Sequence, residues 1–153
     1  MLIDLEDVDK VKNYIWGISK PYSQRIKCKI FYAATQDKNI SAKLLHRYLT
    51  NCPSGLVVDH IDGNTLNNRK SNLRICTRAE NNMNRRIYPN NTTGHRGVYD
   101  MGVESPSRWS ARIKVGGKIV YLKYCKTFEE AVAIREAAEK QYYGKFLRTS
   151  ESA

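Results

Sequence analysis

The sequence has little of what membrane, secreted and zinc-binding proteins require. It contains no run of about 18 apolar residues, which excludes an ordinary membrane-spanning helix. Its first residues, MLIDLEDVDK, are acidic. A signal peptide instead begins with basic residues that are followed by an apolar run. The four cysteines stand far apart with no C-x-x-C pair, which argues against a zinc clamp and a dense disulfide framework. We therefore expect a cytoplasmic protein with reduced cysteines and no structural zinc.

Acidic residues are also scarce. Lys and Arg number 26 against 15 Asp and Glu, which gives a net charge of +11 at pH 7. The segment from Lys10 to Arg47 has nine basic residues and one acidic residue, and Asp100 and Glu104 are the only acidic residues in Gly94–Lys126. Such an excess of positive charge attracts polyanions, of which nucleic acid is the commonest. The expected partner is therefore nucleic acid rather than a membrane.

A segment rich in turn-forming residues, YPNNTTG, divides the chain into two parts. Before it, alternation predicts a strand over Arg25–Ala33, and apolar spacing predicts a helix over Ser41–Thr50. Hydrophobic residues make up 41% of the chain, enough for modest cores and so for two small α+β domains. The predicted domains are 1–89, divided into 1–54 and 55–89, and 90–153.

The stretch from Val57 to Arg86 is dense in asparagine, and amide side chains are costly to bury without partners. Its apolar start, LVV, leads into Asp59 and His60, which a strand would place on opposite sides of the backbone. NLRICT predicts a second strand, and Thr77-x-x-Glu80 is a capping box that opens a short helix. The pattern predicts strand, loop, strand and helix, with an ordered polar loop that holds a ligand.

These residue types fit one kind of chemistry. A carboxylate from Asp59 and an amide oxygen from Asn81, about one turn into the helix, are hard ligands suited to Mg²⁺. Asn82 and Asn84 are the alternatives for the amide ligand. His60, with a pKa near neutrality, could deprotonate a water molecule beside that metal. Such a site would hydrolyse phosphodiester bonds.

The series DHIDGN, NNRKSNLR and EN resembles the HNH motif of the ββα-metal nucleases, in the asparagine-ended variant typical of phage and intron homing endonucleases. The resemblance implies that His60 is the general base and that Asp59 and Asn81 bind the divalent metal, Mg²⁺ or Mn²⁺. It implies that Asn72 is a catalytic-site residue that braces the loop and orients His60. His46 lies in a segment before the motif that also resembles the family, and we interpret it as a structural histidine. We interpret four asparagines as turn and cap residues: Asn64, Asn67, Asn68 and Asn82.

The second part of the chain has a different pattern. Two alternating runs, Trp109–Val115 and Lys118–Tyr124, are joined by Gly116-Gly117, a dipeptide favoured in tight hairpins. HRGVYD predicts a preceding strand, and a capping box at Thr127 opens a helix that extends to Gly144. We expect a three-stranded antiparallel sheet packed on one helix, with a basic, partly aromatic face opposite the helix.

This second pattern resembles the ethylene-response-factor (APETALA-type) DNA-binding domain of plants and phage endonucleases. The resemblance implies that the strands enter the major groove of double-stranded DNA. The residues predicted to contact DNA are Arg74, Arg78, Arg85 and Arg86 in the first domain and Arg96, Arg108, Trp109, Arg112, Lys114, Lys118, Tyr121 and Lys123 in the second.

Together these features predict a metal-dependent, site-preferring DNA endonuclease that nicks one strand as a monomer or weak dimer, without a small-molecule cofactor. The family resemblance suggests a homing or phage role in a bacterial or phage-infected cell. The alternative is a non-catalytic DNA-binding regulator that keeps the nuclease fold as a platform. Loss of Asp59, His60 or Asn81 would favour that alternative, and all three are present. An RNA-binding or structural protein would expose aromatic residues on a sheet for base stacking, whereas most of the ten tyrosines fall where helix or strand packing explains them.

Overall fold

The structure, a computed structural model, describes residues 1–19, 30–85, 87 and 90–147. These residues form two compact units, 1–84 and 85–147. Both units combine helices with small antiparallel sheets, so the predicted α+β class is confirmed. Within the described ranges, no helix has the length and apolar character needed to cross a bilayer.

The first unit begins with a small helical and strand region. Its elements are a 3₁₀ turn at Leu5–Asp7, α1 at Val8–Val11, β1 at Gly17–Ile18, β2 at Ala33–Ala34 and α2 at Leu45–Thr50. β1 and β2 pair antiparallel, and their core contains Val11, Ala33, Leu45 and Leu49. The predicted helix is confirmed from Leu45 onward. Residues 25–29 of the predicted strand lie outside the described residues.

The rest of the first unit follows the predicted order of strand, loop, strand and helix. β3 spans Val57–His60, β4 spans Leu73–Cys76 and α3 spans Arg78–Met83. The two strands pair antiparallel. The capping box at the start of α3 is present, since Thr77 Oγ1 accepts from the Glu80 backbone N–H and Glu80 Oε2 accepts from the Thr77 backbone N–H.

The N-terminal segment holds the loop between β3 and β4 in place. The Leu2 backbone N–H donates to Leu66 O at 2.9 Å, and the Asn68 backbone N–H donates to Leu2 O at 2.8 Å. Further along, the Lys70 backbone N–H donates to Asp4 Oδ2 at 2.7 Å. Residues at the very start of the chain therefore order the polar loop, a contact that local sequence patterns do not indicate.

The second unit is a three-stranded antiparallel sheet in the order β5, β6, β7, packed against one helix, α4. The bounds are Val98–Asp100 for β5, Trp109–Val115 for β6, Lys118–Cys125 for β7 and Phe128–Tyr143 for α4. Gly116 and Gly117, both with positive φ, form the turn between β6 and β7. The strands and the helix lie where the sequence predicted them.

Arg135 is the central polar residue of the second unit and is only 2% exposed. Its guanidinium donates to the backbone carbonyls of Arg96, at 3.0 Å, and Arg112, at 2.6 Å, as well as to Glu139 at 2.7 Å. A Cβ atom on Gly97 would lie 2.6 Å from both Arg112 O and Arg135 Nε. The glycine in HRGVYD therefore leaves room for the buried guanidinium.

Candidate active site

Asp59 and His60 are the last two residues of β3, and both are buried. Because side chains alternate along a strand, the two groups have separate sets of neighbours. The Asp59 carboxylate contacts Arg74 and Asn84. The His60 ring contacts other residues and is described below.

The Asp59 carboxylate accepts hydrogen bonds from two side chains. Arg74 lies directly across the strand pair from Asp59, and its Nε and Nη2 donate to Asp59 Oδ2 at 2.8 and 2.6 Å. Asn84 Nδ2 donates to Oδ1 and Oδ2 at 3.0 and 3.1 Å. Arg74, predicted to contact DNA, therefore has its guanidinium on Asp59 in this structure.

Asn84 is the asparagine whose side chain reaches Asp59. Its Nδ2 also lies 2.9 Å from His60 O and 3.3 Å from Ile61 O, so four oxygens surround that nitrogen. Its Oδ1 is buried with no hydrogen-bond partner among the described residues. Asn81, predicted as the metal ligand, is half-buried on the same helix, one turn before Asn84.

The residues beside Asp59 fit a hard divalent cation. A carboxylate and an unpartnered amide oxygen are donors that Mg²⁺ and Mn²⁺ accept. In this structure the Nδ2 donor of Asn84, rather than its Oδ1, lies among the four oxygens. Asp59 with Asn84 or Asn81 would hold such a cation.

The His60 ring lies between an amide and a second histidine. His60 Nε2 is 3.4 Å from Asn68 Oδ1, and the His46 ring meets the His60 ring edge-on with centroids 5.1 Å apart. Burial lowers the pKa of His60, although the Asn68 amide and the charges of Asp62 and Asp59 act in the opposite direction. Donation from Nε2 to Asn68 Oδ1 requires the tautomer that carries its proton on Nε2, and that tautomer leaves the lone pair on Nδ1.

His46 lies on α2 and is buried against the His60 ring. Burial, together with the charges of His60 and Arg47, lowers its pKa to about 3. The Tyr32 ring packs near both histidines, with its centroid 5.2 Å from that of His46 and 6.3 Å from that of His60. His46 is therefore a neutral packing partner at ordinary pH, consistent with its interpretation as a structural histidine.

Asn72 braces the loop between the strands. Its Nδ2 donates to Asp62 Oδ1 at 2.9 Å and to Asn67 O at 2.8 Å, while its Oδ1 accepts from the Asp62 backbone N–H at 3.0 Å. Burial alone would raise the pKa of Asp62, but hydrogen bonds from Asn67, Asn64 and Asn72 lower it overall. The recorded amide contact with the His60 ring comes from Asn68, which the sequence pattern had indicated only as a turn residue.

The free face of the second unit's sheet carries basic and aromatic residues. It also exposes Leu122 and Ile119, which pair with Arg112 and Lys114 and make it more apolar than predicted. Arg112 stacks over the Tyr99 ring at 4.9 Å. Lys114 on β6 and Tyr124 on β7 are exposed. Between Tyr99 and Tyr124, the small side chain of Ser110 is fully buried in the central strand.

Two aromatic residues and one lysine that were predicted to contact DNA lie on the face of the sheet that packs against α4. The Trp109 ring packs edge-on against Phe128 at 4.9 Å, and the Tyr121 ring lies 6.2 Å from Tyr142 of α4. Lys123 is exposed but pairs with Ala111, which is buried toward the helix. The placement of Trp109, Tyr121 and Lys123 on the free face was wrong, because strand alternation directs them toward α4.

The remaining predicted DNA contacts divide into paired and exposed residues. Arg108 forms an ion pair with Asp100 at 2.9 Å, and Arg96 forms one with Glu139 at 3.2 Å. Exposed residues are Arg78, Arg85 and Lys118. Arg86 lies outside the described residues. None of these placements tests a contact with DNA, so those roles stay predictions.

Comparison with known proteins defines the class to which this arrangement belongs. A family model described as HNH endonuclease matches residues 47–83, from within α2 to the end of α3. The match includes β3, β4 and every residue of the loop that Asn72 braces. It ends before the second unit, whose resemblance to the ethylene-response-factor domain therefore stays a prediction.

Two curated proteins are similar to much of the chain. One, named "Uncharacterized HNH endonuclease L560", from Acanthamoeba polyphaga mimivirus, is 31% identical over 108 residues, covering 67% of this chain and 54% of that protein. "Protein 3.8" of Escherichia phage T7 is 30% identical over 96 residues, covering 63% of this chain and 77% of that protein. The match to the HNH endonuclease family is confined to residues 47–83 of the chain. The chain spans about half the length of the mimivirus relative, and no solved structure matches it.

Proposed function

We propose that this protein is a divalent-metal-dependent DNA endonuclease that hydrolyses phosphodiester bonds and nicks one strand. The observation that supports the proposal is the placement of Asp59 and His60 at one strand end, with an asparagine amide against the carboxylate. The match of residues 47–83 to the HNH endonuclease family supports nuclease activity. Beside Asp59, Asn84 Oδ1 is a buried amide oxygen without a hydrogen-bond partner among the described residues.

In the proposed reaction His60 takes a proton from the attacking water through Nδ1. The Asn68 amide keeps the ring in the orientation that leaves Nδ1 available, and the His46 ring limits its movement. Asp59, with the amide of Asn84 or Asn81, would hold the metal. When bound, Mg²⁺ or Mn²⁺ supplies a positive charge that stabilises the negative charge developing on the phosphate.

The second unit is proposed to bind double-stranded DNA through the free face of its sheet. Arg112 and Lys114 supply positive charge on that face, and the exposed rings of Tyr99 and Tyr124 supply apolar contact area. The three-stranded sheet backed by a helix supports the resemblance to the ethylene-response-factor domain. On this proposal the second unit provides affinity and site preference, while the first unit cuts.

The cellular role proposed for the enzyme is that of a phage-type or homing endonuclease. Similarity to a mimivirus protein and to a phage T7 protein supports a viral or phage context. A single site in each chain would cut a single strand, so a monomer would nick DNA and a double-strand break would need two encounters.

The proposal is tested with a supercoiled plasmid. Purified protein should convert the plasmid to its relaxed form when Mg²⁺ or Mn²⁺ is present and should leave it supercoiled in EDTA. Binding to the same plasmid is measured in parallel by gel shift. If the protein binds DNA but relaxes no plasmid with any divalent metal, it is a non-catalytic DNA-binding regulator instead.

A further inference from the structure

We propose that Arg74 is an exchangeable counter-ion of the active site, which pairs with Asp59 until metal and DNA bind together and then transfers to the substrate phosphate. This inference rests on the proposed function and adds to it how the site is loaded. The observation behind it is that a guanidinium, rather than solvent, occupies the side of Asp59 that faces the second strand.

The contact between Arg74 and Asp59 is close and largely shielded from water. Nε and Nη2 of Arg74 lie 2.8 and 2.6 Å from the same oxygen, Asp59 Oδ2. The side chains of Arg74 and Asp59 are only 16% and 6% exposed. Charge pairs interact more strongly where water is excluded, so this pair has a substantial effect on what else Asp59 can bind.

Arg74 and a divalent cation compete for the Asp59 carboxylate. Its Oδ2 already accepts from Arg74 and from Asn84, and its Oδ1 accepts from Asn84. A cation bound at this carboxylate would also lie next to the positive guanidinium, and the two charges would repel each other. Metal binding in the absence of DNA is therefore opposed by Arg74.

A phosphodiester changes this balance. The planar guanidinium binds phosphate with the same two-pronged geometry that it uses for a carboxylate. Once DNA lies at the site, Arg74 can exchange one anion for another, and Asp59 becomes available to the metal. Binding of metal and binding of DNA should then strengthen each other, since coupling between two ligands is reciprocal.

The test measures Mn²⁺ binding directly, by electron paramagnetic resonance and isothermal titration, in a His60→Ala background that leaves DNA intact. Without DNA, Arg74→Met should bind Mn²⁺ about tenfold more tightly than the parent, the order expected for removing one nearby charge. A short duplex should increase Mn²⁺ affinity about tenfold in the parent and much less in Arg74→Met.

Two further variants separate charge from structure. Arg74→Lys keeps the positive charge and should leave Mn²⁺ affinity without DNA within about twofold of the parent. Lys38→Met removes an exposed positive charge elsewhere in the same unit and should change neither measurement. Thermal unfolding identifies any variant that does not fold, and if Arg74→Met is unfolded, Arg74→Gln replaces it.

The outcomes distinguish this inference from the proposed function. Mn²⁺ binding that disappears in Asp59→Ala, yet is unchanged or weaker in Arg74→Met, would overturn the inference about Arg74 alone. If Mn²⁺ binding does not depend on Asp59 and the wild-type protein relaxes no plasmid, the proposed function itself is wrong. Tighter Mn²⁺ binding in Arg74→Met, with loss of the DNA effect, supports the exchange.

Discussion

Arg135 in the second unit and Asp59 in the first are both buried charged side chains, and the two are partnered differently. In the second unit, Arg135 donates to two backbone carbonyls, to Glu139 and to Tyr143, and these acceptors belong to the strand and helix framework. In the first unit, the Asp59 carboxylate accepts from the side chains of Arg74 and Asn84, and next to it Asn84 Oδ1 has no partner among the described residues. A buried charge tied to the backbone stabilises a fold. One held by exchangeable side chains points to a ligand.

The largest expected effect is the loss of DNA nicking when Asp59, which contacts Arg74 and Asn84, is replaced. Asp59→Ala should reduce nicking by about a thousandfold or more while DNA binding stays within a few-fold, because metal-site carboxylates act mainly in the chemical step. A comparison of Asn84→Ala with Asn81→Ala identifies the amide ligand of the metal. The variant that lacks this ligand should need a higher Mn²⁺ concentration for half-maximal nicking. Full activity in Asp59→Ala would show that these contacts are structural, like those of Arg135.

The next effect concerns the fold of the second unit. Gly97→Ala should destabilise it by about 3 kcal/mol, because the new Cβ overlaps Arg112 O and Arg135 Nε as well as requiring a positive φ. Gly94→Ala is the matched control, since its φ is similarly positive but no atom lies within 4 Å of its Cβ. Urea unfolding followed by circular dichroism gives both values. Equal losses would mean that Arg135 does not require the glycine.

A smaller effect follows from the buried histidine of the first unit. The pKa of His46 is about 3 in the folded chain, against an ordinary value of 6.5 for an exposed histidine, so the unfolded chain takes up a proton first as the pH falls. Stability is then present above pH 6.5 and is lost toward pH 3, at about 1.4 kcal/mol for each pH unit. His46→Phe should remove about 3 kcal/mol of the loss that the wild type shows between pH 7.5 and 4.5.

The control for the His46 prediction is His95→Phe, whose side chain is 26% exposed in the second unit. It measures how much a change from histidine to phenylalanine in the other unit alters unfolding by itself. If the free energy of unfolding changes with pH equally in His46→Phe and in the wild type, His46 takes up its proton as readily in the folded protein as in the unfolded chain.

The smallest effect is expected on the free face of the sheet. Replacing Arg112 and Lys114 together by alanine should weaken DNA binding about tenfold. The slope of log affinity against log salt concentration should fall by the amount expected for about two phosphate contacts. Lys140→Ala, on the exposed side of α4, removes a similar charge and should have little effect. Fluorescence anisotropy with a labelled duplex at several salt concentrations measures both. If Lys140→Ala weakens binding as much, attraction is general rather than specific to the sheet face.

Local patterns predicted much of this molecule. The capping boxes at Thr77 and Thr127 and the Gly116-Gly117 turn act between near neighbours, so they could be read from the sequence. Alternation predicted Arg112 and Lys114 on the free face. Trp109 was misplaced because its charged surroundings suggested a DNA contact, whereas its strand position faces Phe128.

Contacts between distant residues could not be predicted in the same way. Asn84 lies 25 positions from Asp59 and was only an alternative ligand, because helix spacing alone does not fix which amide turns toward the strand. The contact of Asn68 with His60 depends on the path of the loop, which the N-terminal segment fixes from Leu2. Arg135 had no local signal, since its partners are carbonyls from other elements.

The most direct test of the account is a paired measurement on His60→Ala. The single-turnover nicking rate at saturating protein and the affinity for the same duplex are determined for this variant, the wild type and the Arg112 and Lys114 double variant. The account predicts that His60→Ala lowers the rate about a thousandfold with affinity within about twofold, whereas the double variant loses affinity and keeps the rate. A wild-type nicking rate in His60→Ala would contradict it.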